Sequence, residues 1–60
     1  MLYGWTVTEK YLDGYVEANL YGMRWEASQR YDLILKSRIL ELAELTITDQ
    51  EGKIDKQRVF

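Results

Sequence analysis

Any reaction run by this chain would have to use carboxylates and hydroxyls. Its 60 residues include ten Asp and Glu, eight Lys and Arg, and neither His nor Cys. A thiolate nucleophile, an imidazole base and a Cys/His zinc centre are therefore excluded by composition. The only serines are Ser28 and Ser37, and neither can have an imidazole partner to activate it. No pair of carboxylates is predicted to converge in a pocket, and so short a chain has little room for one. The densest acidic stretch is Asp49-Gln50-Glu51-Gly52-Lys53-Ile54-Asp55. Its oxygen donors would suit calcium, because hard cations take carboxylate and carbonyl ligands. The simpler reading is a turn between strands carrying solvated charges. We therefore expect a protein that is not an enzyme, with no cofactor and no metal.

Three stretches resemble known families. Asp49 to Asp55 looks like the middle of an EF-hand calcium loop. Aligning Gly52 with that loop's glycine puts Ile47 and Arg58 where its first and last acidic ligands belong, so the resemblance fails at its anchors. Tyr11-Leu12-Asp13-Gly14-Tyr15-Val16-Glu17-Ala18-Asn19 looks like the LAGLIDADG helix of homing endonucleases. It departs from that family at Asn19, which stands for a metal-binding carboxylate, at Leu20, which replaces a Gly, and at Asp13, which replaces a small residue. Gly22-Met23-Arg24-Trp25-Glu26-Ala27 resembles the inter-helix turn of ribbon-helix-helix DNA-binding proteins. That resemblance implies a dimeric transcriptional regulator whose first strand reads bases. Leu2 to Thr8, the strand concerned, holds no Lys, Arg, Asn or Gln, the groups on which base readout depends.

The element that must organise the rest is Glu26 to Leu45, which reads as one amphipathic helix. At about 100° per residue, Ala27, Tyr31, Ile34, Leu35, Ile39, Leu42 and Leu45 share one broad apolar face. Glu26, Arg30, Ser37, Glu41 and Glu44 gather on a polar face, with Glu26 and Arg30 an i,i+4 charge pair. Arg38 falls inside the apolar arc, where it would snorkel or pair with a carboxylate such as Glu41. Leu33 and Leu40 form a second stripe, away from the first.

Around this helix the chain has strand character. Leu2 to Thr8 favours a strand, with Trp5 and Val7 alternating with Thr6 and Thr8. Lys10 to Gly22 supports two readings. As a hairpin, Asp13-Gly14 is a two-residue type I′ turn that pairs Leu12 with Tyr15 and Val7 with Leu20. Val7, Tyr11, Val16, Ala18 and Leu20 then share a core face interrupted by Glu9, and Lys10 pairs with Glu17 on the other. As a helix, Thr8 caps the start and Gly22 ends it, with Gly14 in the interior at a cost of about 1 kcal/mol. After the long helix, Leu45 to Thr48 alternates. Asp49 to Gly52 suits a type I turn with Gly52 at positive φ, and a four-residue loop would pair Ile47 with Ile54 on the core face. Val59 and Phe60 are apolar enough to dock, or to lead into further chain.

Composition bounds the rest. A chain of 60 residues is one domain, residues 1–60, and buries only about 60% of its unfolded surface. Without Cys or a metal, oligomerisation is the remaining help. Net charge is −2, which argues against nucleic acid as a partner, since phosphate binding needs a local excess of Lys and Arg. The first four residues lack a basic, apolar leader, and no apolar run is long enough to span a membrane. A cytoplasmic setting fits the absence of Cys. The expected fold is α+β, antiparallel strands on one helix over about 26–45, in the order ββαββ, with βααββ as the alternative. The expected function is non-catalytic: a small interaction or assembly protein acting as a homodimer or higher oligomer, for instance a phage or mobile-element accessory. Its interface would use Leu33, Leu40, Trp25 and Arg38. The partner is a second copy, with another protein as a further candidate. The alternative function is the dimeric DNA-binding regulator.

Overall fold

The computed structural model describes residues 4–60. The chain forms β1 (Trp5–Tyr11), β2 (Val16–Tyr21), α1 (Arg24–Arg38), a short 3-10 turn (Ile39–Glu41), β3 (Leu42–Thr48) and β4 (Ile54–Val59). This is the ββαββ order, and the two-helix alternative is not formed. One antiparallel sheet has the strand order β2-β1-β3-β4, and α1 lies on one of its faces. Of the strand expected over Leu2 to Thr8, Leu2 and Tyr3 lie outside the described residues.

The core is the helix-facing side of the two central strands. Val7 and Tyr11 of β1, Leu42, Leu45 and Ile47 of β3, and Ala27, Tyr31 and Ile34 of α1 are buried together. Leu35 packs at the margin of this cluster, whereas Ile39 is exposed. The helix starts two residues earlier than the pattern suggests. The Met23 N–H donates to Glu26 Oε1 at 3.1 Å, which satisfies one end of the helix N-terminus. Lys36 and Arg38 sit in the last turn, where cations suit the helix dipole.

The helix ends at Arg38 and does not continue to Leu45. Leu42 and Leu45 imitate helical spacing for a sheet reason. Lys10 pairs with Glu44 but the next residue, Tyr11, pairs with Leu42, so Ala43 is an extra residue in β3. Such a bulge lets two residues three apart face the same side. A second bulge changes the last hairpin: Ile47 pairs with Lys56 and Thr48 with Ile54, leaving Asp55 extra. Ile54 therefore faces away from the core and is exposed, against the expected Ile47–Ile54 pairing.

Both hairpins close by one design. Tyr11 N–H donates to Tyr15 O at 2.8 Å and Gly14 N–H to Tyr11 O at 3.0 Å. Asp49 N–H likewise donates to Lys53 O at 2.8 Å and Gly52 N–H to Asp49 O at 3.1 Å. Each is a three-residue loop ending in glycine at positive φ, 93° for Gly14 and 83° for Gly52. Such a loop replaces the two-residue turn expected at Asp13-Gly14 and the four-residue loop expected after Thr48. The change moves β2 by one residue: Val7 pairs with Asn19 and Thr6 with Leu20. A one-residue slip exchanges faces. Val16, Ala18 and Leu20 therefore lie on the side without the helix, while Glu17, Asn19 and Tyr21 lie on the helix side. Of the expected core residues, Val16, Ala18 and Leu20 are exposed.

Candidate interaction surface

The most deeply buried polar residue among those described is Glu9, whose side chain has no exposure. It faces the helix between Val7 and Tyr11, opposite Leu45 in β3 and Glu17 in β2. Tyr11 donates its hydroxyl to Glu9 Oε1, and Arg38 Nη1 donates to the same phenol oxygen at 3.1 Å. Arg30 Nη2 lies 3.7 Å from Glu9 Oε2 and 4.0 Å from Glu17 Oε2. The chain Arg38–Tyr11–Glu9–Arg30–Glu17 thus joins the middle and the C-terminal end of the helix to β1 and β2. Among the described residues, Glu9 Oε2 and Arg30 Nε are buried without a hydrogen-bond partner, so charge proximity rather than hydrogen bonding holds that end. Burial, then the bond to Glu9, raises the Tyr11 pKa above its ordinary 10.0. The bond from Arg38 to Tyr11 raises the arginine in turn.

Two sequence expectations change here. Arg38 bonds Tyr11 rather than Glu41, and Arg30 reaches Glu9 and Glu17 while Glu26 serves the helix start. Lys10 pairs with Glu44 at 3.7 Å, because Glu17 has turned to the helix side. The signal for the buried network was present in the sequence as Glu9, the interruption in an otherwise apolar face.

The four expected interface residues fall into two separate grooves. Trp25 and Leu33, 63% and 54% exposed, lie with Tyr21, Gln29 and Arg30 along a groove of about 380 Å³ beside β2. Arg38 and Leu40 lie at the other end with Leu12, Tyr15 and Glu41, in a groove of about 460 Å³. Leu40 is 89% exposed there, in the turn beyond the helix. The helical stripe expected to join Leu33 and Leu40 is therefore broken by the end of α1.

Among the described residues, no helix or further strand covers the sheet face opposite α1. Thr6 and Thr8 pair with Thr48 and Thr46 along its centre. Exposed Val16 and Leu20 flank them on one side, Ile54 and Val59 on the other. Gln57 donates to Glu44 Oε1 at 2.7 Å and Thr46 donates to the same oxygen at 3.1 Å, which holds the Glu44 carboxyl below its ordinary 4.5. The two terminal apolar residues do not enter the core. Val59 and Phe60 remain exposed, with the Arg58 guanidinium 5.2 Å from the Phe60 ring.

The acidic stretch closes on its own backbone. Asp49 Oδ1 accepts the N–H groups of Glu51 and Lys53, each at 2.9 Å. Asp55 pairs with Arg24 at 3.0 Å. Among the described residues, no group of three or more acidic side chains is placed to hold a metal ion, and no helix is long and apolar enough to cross a membrane. Comparison with known proteins gives no match: no family model, no curated protein and no solved structure matches this chain.

Proposed function

We propose that this chain is a non-catalytic interaction or assembly protein that acts as a homo-oligomer. The observation that carries this reading is the groove beside β2, where Trp25 and Leu33 stand largely exposed along the helix. Tryptophan and tyrosine are the residues most enriched where binding energy concentrates. A monomer this small also gains most from a second copy, since its core holds only eight buried apolar residues among those described and it has no disulfide to brace it. Arg38 and Leu40, in the groove at the far end, are the candidates for a second contact, in a higher oligomer or with another protein. A cytoplasmic setting belongs to this reading, as does the role of accessory protein to a phage or mobile element. The short, cysteine-free, aromatic-rich chain suits a component of a larger complex.

Analytical ultracentrifugation of the wild type and of Leu33→Asp tests it. The wild type is expected to sediment as a dimer or larger, and Leu33→Asp as a folded monomer. A wild type that stays monomeric across the accessible concentration range would remove the proposal. The DNA-binding alternative needs a helix where β2 stands. A titration with mixed-sequence DNA at low salt, expected to give no binding, checks that reading independently.

A further inference from the structure

The two edges of the sheet differ in a way that singles out β2. β4 carries Asp55, Lys56 and Arg58 and contains a bulge, the usual means by which an edge strand avoids unwanted pairing. β2, Val16–Tyr21, has neither Lys, Arg nor Pro, and its pairing with β1 is regular throughout. Among the described residues, its outer side faces no other strand.

The register fixes which of its backbone groups are free. The hydrogen bond from Tyr11 N–H to Tyr15 O makes Tyr11 and Tyr15 a bonded pair. Bonded and non-bonded pairs alternate along an antiparallel ladder. Glu9–Glu17, Val7–Asn19 and Trp5–Tyr21 are then the bonded pairs. Glu17, Asn19 and Tyr21 spend their backbone groups on β1. Val16, Ala18 and Leu20 direct theirs outward, and all three residues are exposed.

We infer that β2 pairs antiparallel with β2 of a second copy about a two-fold axis at Ala18, making one continuous sheet through both domains. This rests on the homo-oligomer reading and names the surface it uses. A second copy is favoured because the strand is complementary to itself in this register alone. Centring on Ala18 places Val16 opposite Leu20 of the second copy and Ala18 opposite its equivalent. Every outward backbone group then finds a partner, about six bonds in all at two per bonded pair. Glu17 falls opposite Asn19 of the second copy, a carboxylate against an amide. Shifting the axis to Glu17 sets two carboxylates face to face, which is destabilising. Shifting it to Asn19 leaves Val16 beyond the paired segment. The same association brings the two helix-side grooves toward each other, each lined by Tyr21, Trp25 and Leu33, so the exposed aromatic and aliphatic side chains gain a neighbour.

The test uses Ala18→Pro. Its N–H points outward, so losing it leaves the β1–β2 ladder intact, and proline is tolerated at an edge. In sedimentation, the wild type is expected to be a dimer and Ala18→Pro a monomer with an unchanged far-ultraviolet circular dichroism spectrum. Amide exchange on the wild type keeps the inference testable should that variant misfold. The Ala18 amide is expected to be protected about 100-fold, with protection falling on dilution; free exchange at every concentration overturns the pairing. Under oxidising conditions Ala18→Cys is expected to cross-link to its equivalent, since bonded residues lie about 5.5 Å apart, while Gln50→Cys in the far turn is not. A monomeric wild type overturns both the inference and the reading beneath it. A wild-type dimer that survives Ala18→Pro but is lost in Leu33→Asp overturns the pairing and leaves the homo-oligomer standing.

Discussion

Replacing Arg30 by Leu should cost the fold more than replacing Glu9, the buried carboxylate it faces. Glu9 has no exposure, one oxygen accepts from Tyr11, and the other lies 3.7 Å from Arg30. At an effective dielectric of about 20, two unit charges at that separation attract by about 4 kcal/mol. The Arg30 side chain is 31% exposed, so water screens part of this, and about 2 kcal/mol is the expected loss in Arg30→Leu. Removing one partner leaves a buried charge uncompensated, whereas removing the buried charge itself is often neutral or stabilising. Glu9→Leu puts an aliphatic side chain among Val7, Leu45 and Tyr11, and Arg30 keeps Glu17 at 4.0 Å. That variant is expected between no change and about 2 kcal/mol of added stability. The double variant should match Glu9→Leu alone, because no buried carboxylate then needs the arginine. Urea unfolding followed by tryptophan fluorescence, at one protein concentration because association adds stability by mass action, gives all three values. For a chain this size, about 2 kcal/mol corresponds to about 10 °C in Tm. An Arg30→Leu variant within about 0.5 kcal/mol of wild type, or a Glu9→Leu variant weaker by more than about 2 kcal/mol, would refute the electrostatic reasoning.

Other expectations follow from the turns, the open face and the grooves. Gly14 has φ of 93° and no atom within 4 Å of where a Cβ would stand, so Gly14→Val should cost about 1–2 kcal/mol through backbone conformation alone; chemical denaturation measures it. The Glu44 carboxyl is held low by Gln57 and Thr46, so its contribution is complete above the ordinary 4.5 and lost as pH falls through the depressed folded value. Gln57→Leu should therefore flatten the acid-side decline of stability in denaturation midpoints taken from about pH 5 down to about pH 2. Leu40→Asp should leave the fold intact, because Leu40 is 89% exposed. Its dichroism spectrum and melting curve should match wild type, while a large loss of helix would place Leu40 in the core.

The fold was legible where residue type and period agreed. Ala27, Tyr31 and Ile34 marked the buried helix face, and Asp13-Gly14 and Asp49 to Gly52 marked both turns. What could not be read was the residue count of each turn and strand. Asp13-Gly14 fits either a two-residue or a three-residue loop, and the choice decides which side of the sheet Val16, Ala18 and Leu20 occupy. Asp13 Oδ1 accepts the Tyr15 N–H at 2.9 Å, a local bond that the longer loop permits. Bulges at Ala43 and Asp55 broke strand period in the same way. The first made Leu42 and Leu45 look helical, and the second turned Ile54 outward. Such insertions are settled by tertiary packing rather than by propensity. The candidate surface was half visible: Leu33 was marked by the second helical stripe and Trp25 as an aromatic just before the expected helix, but the free edge beside them emerges only once β2 has a register.

The central claim is self-association, and sedimentation equilibrium of the wild-type chain over a range of concentrations tests it most directly. The account predicts a reversible mass increase to about twice the monomer mass of 7.2 kDa, consistent with a closed two-fold pair. A mass that stays at the monomer value throughout would contradict it.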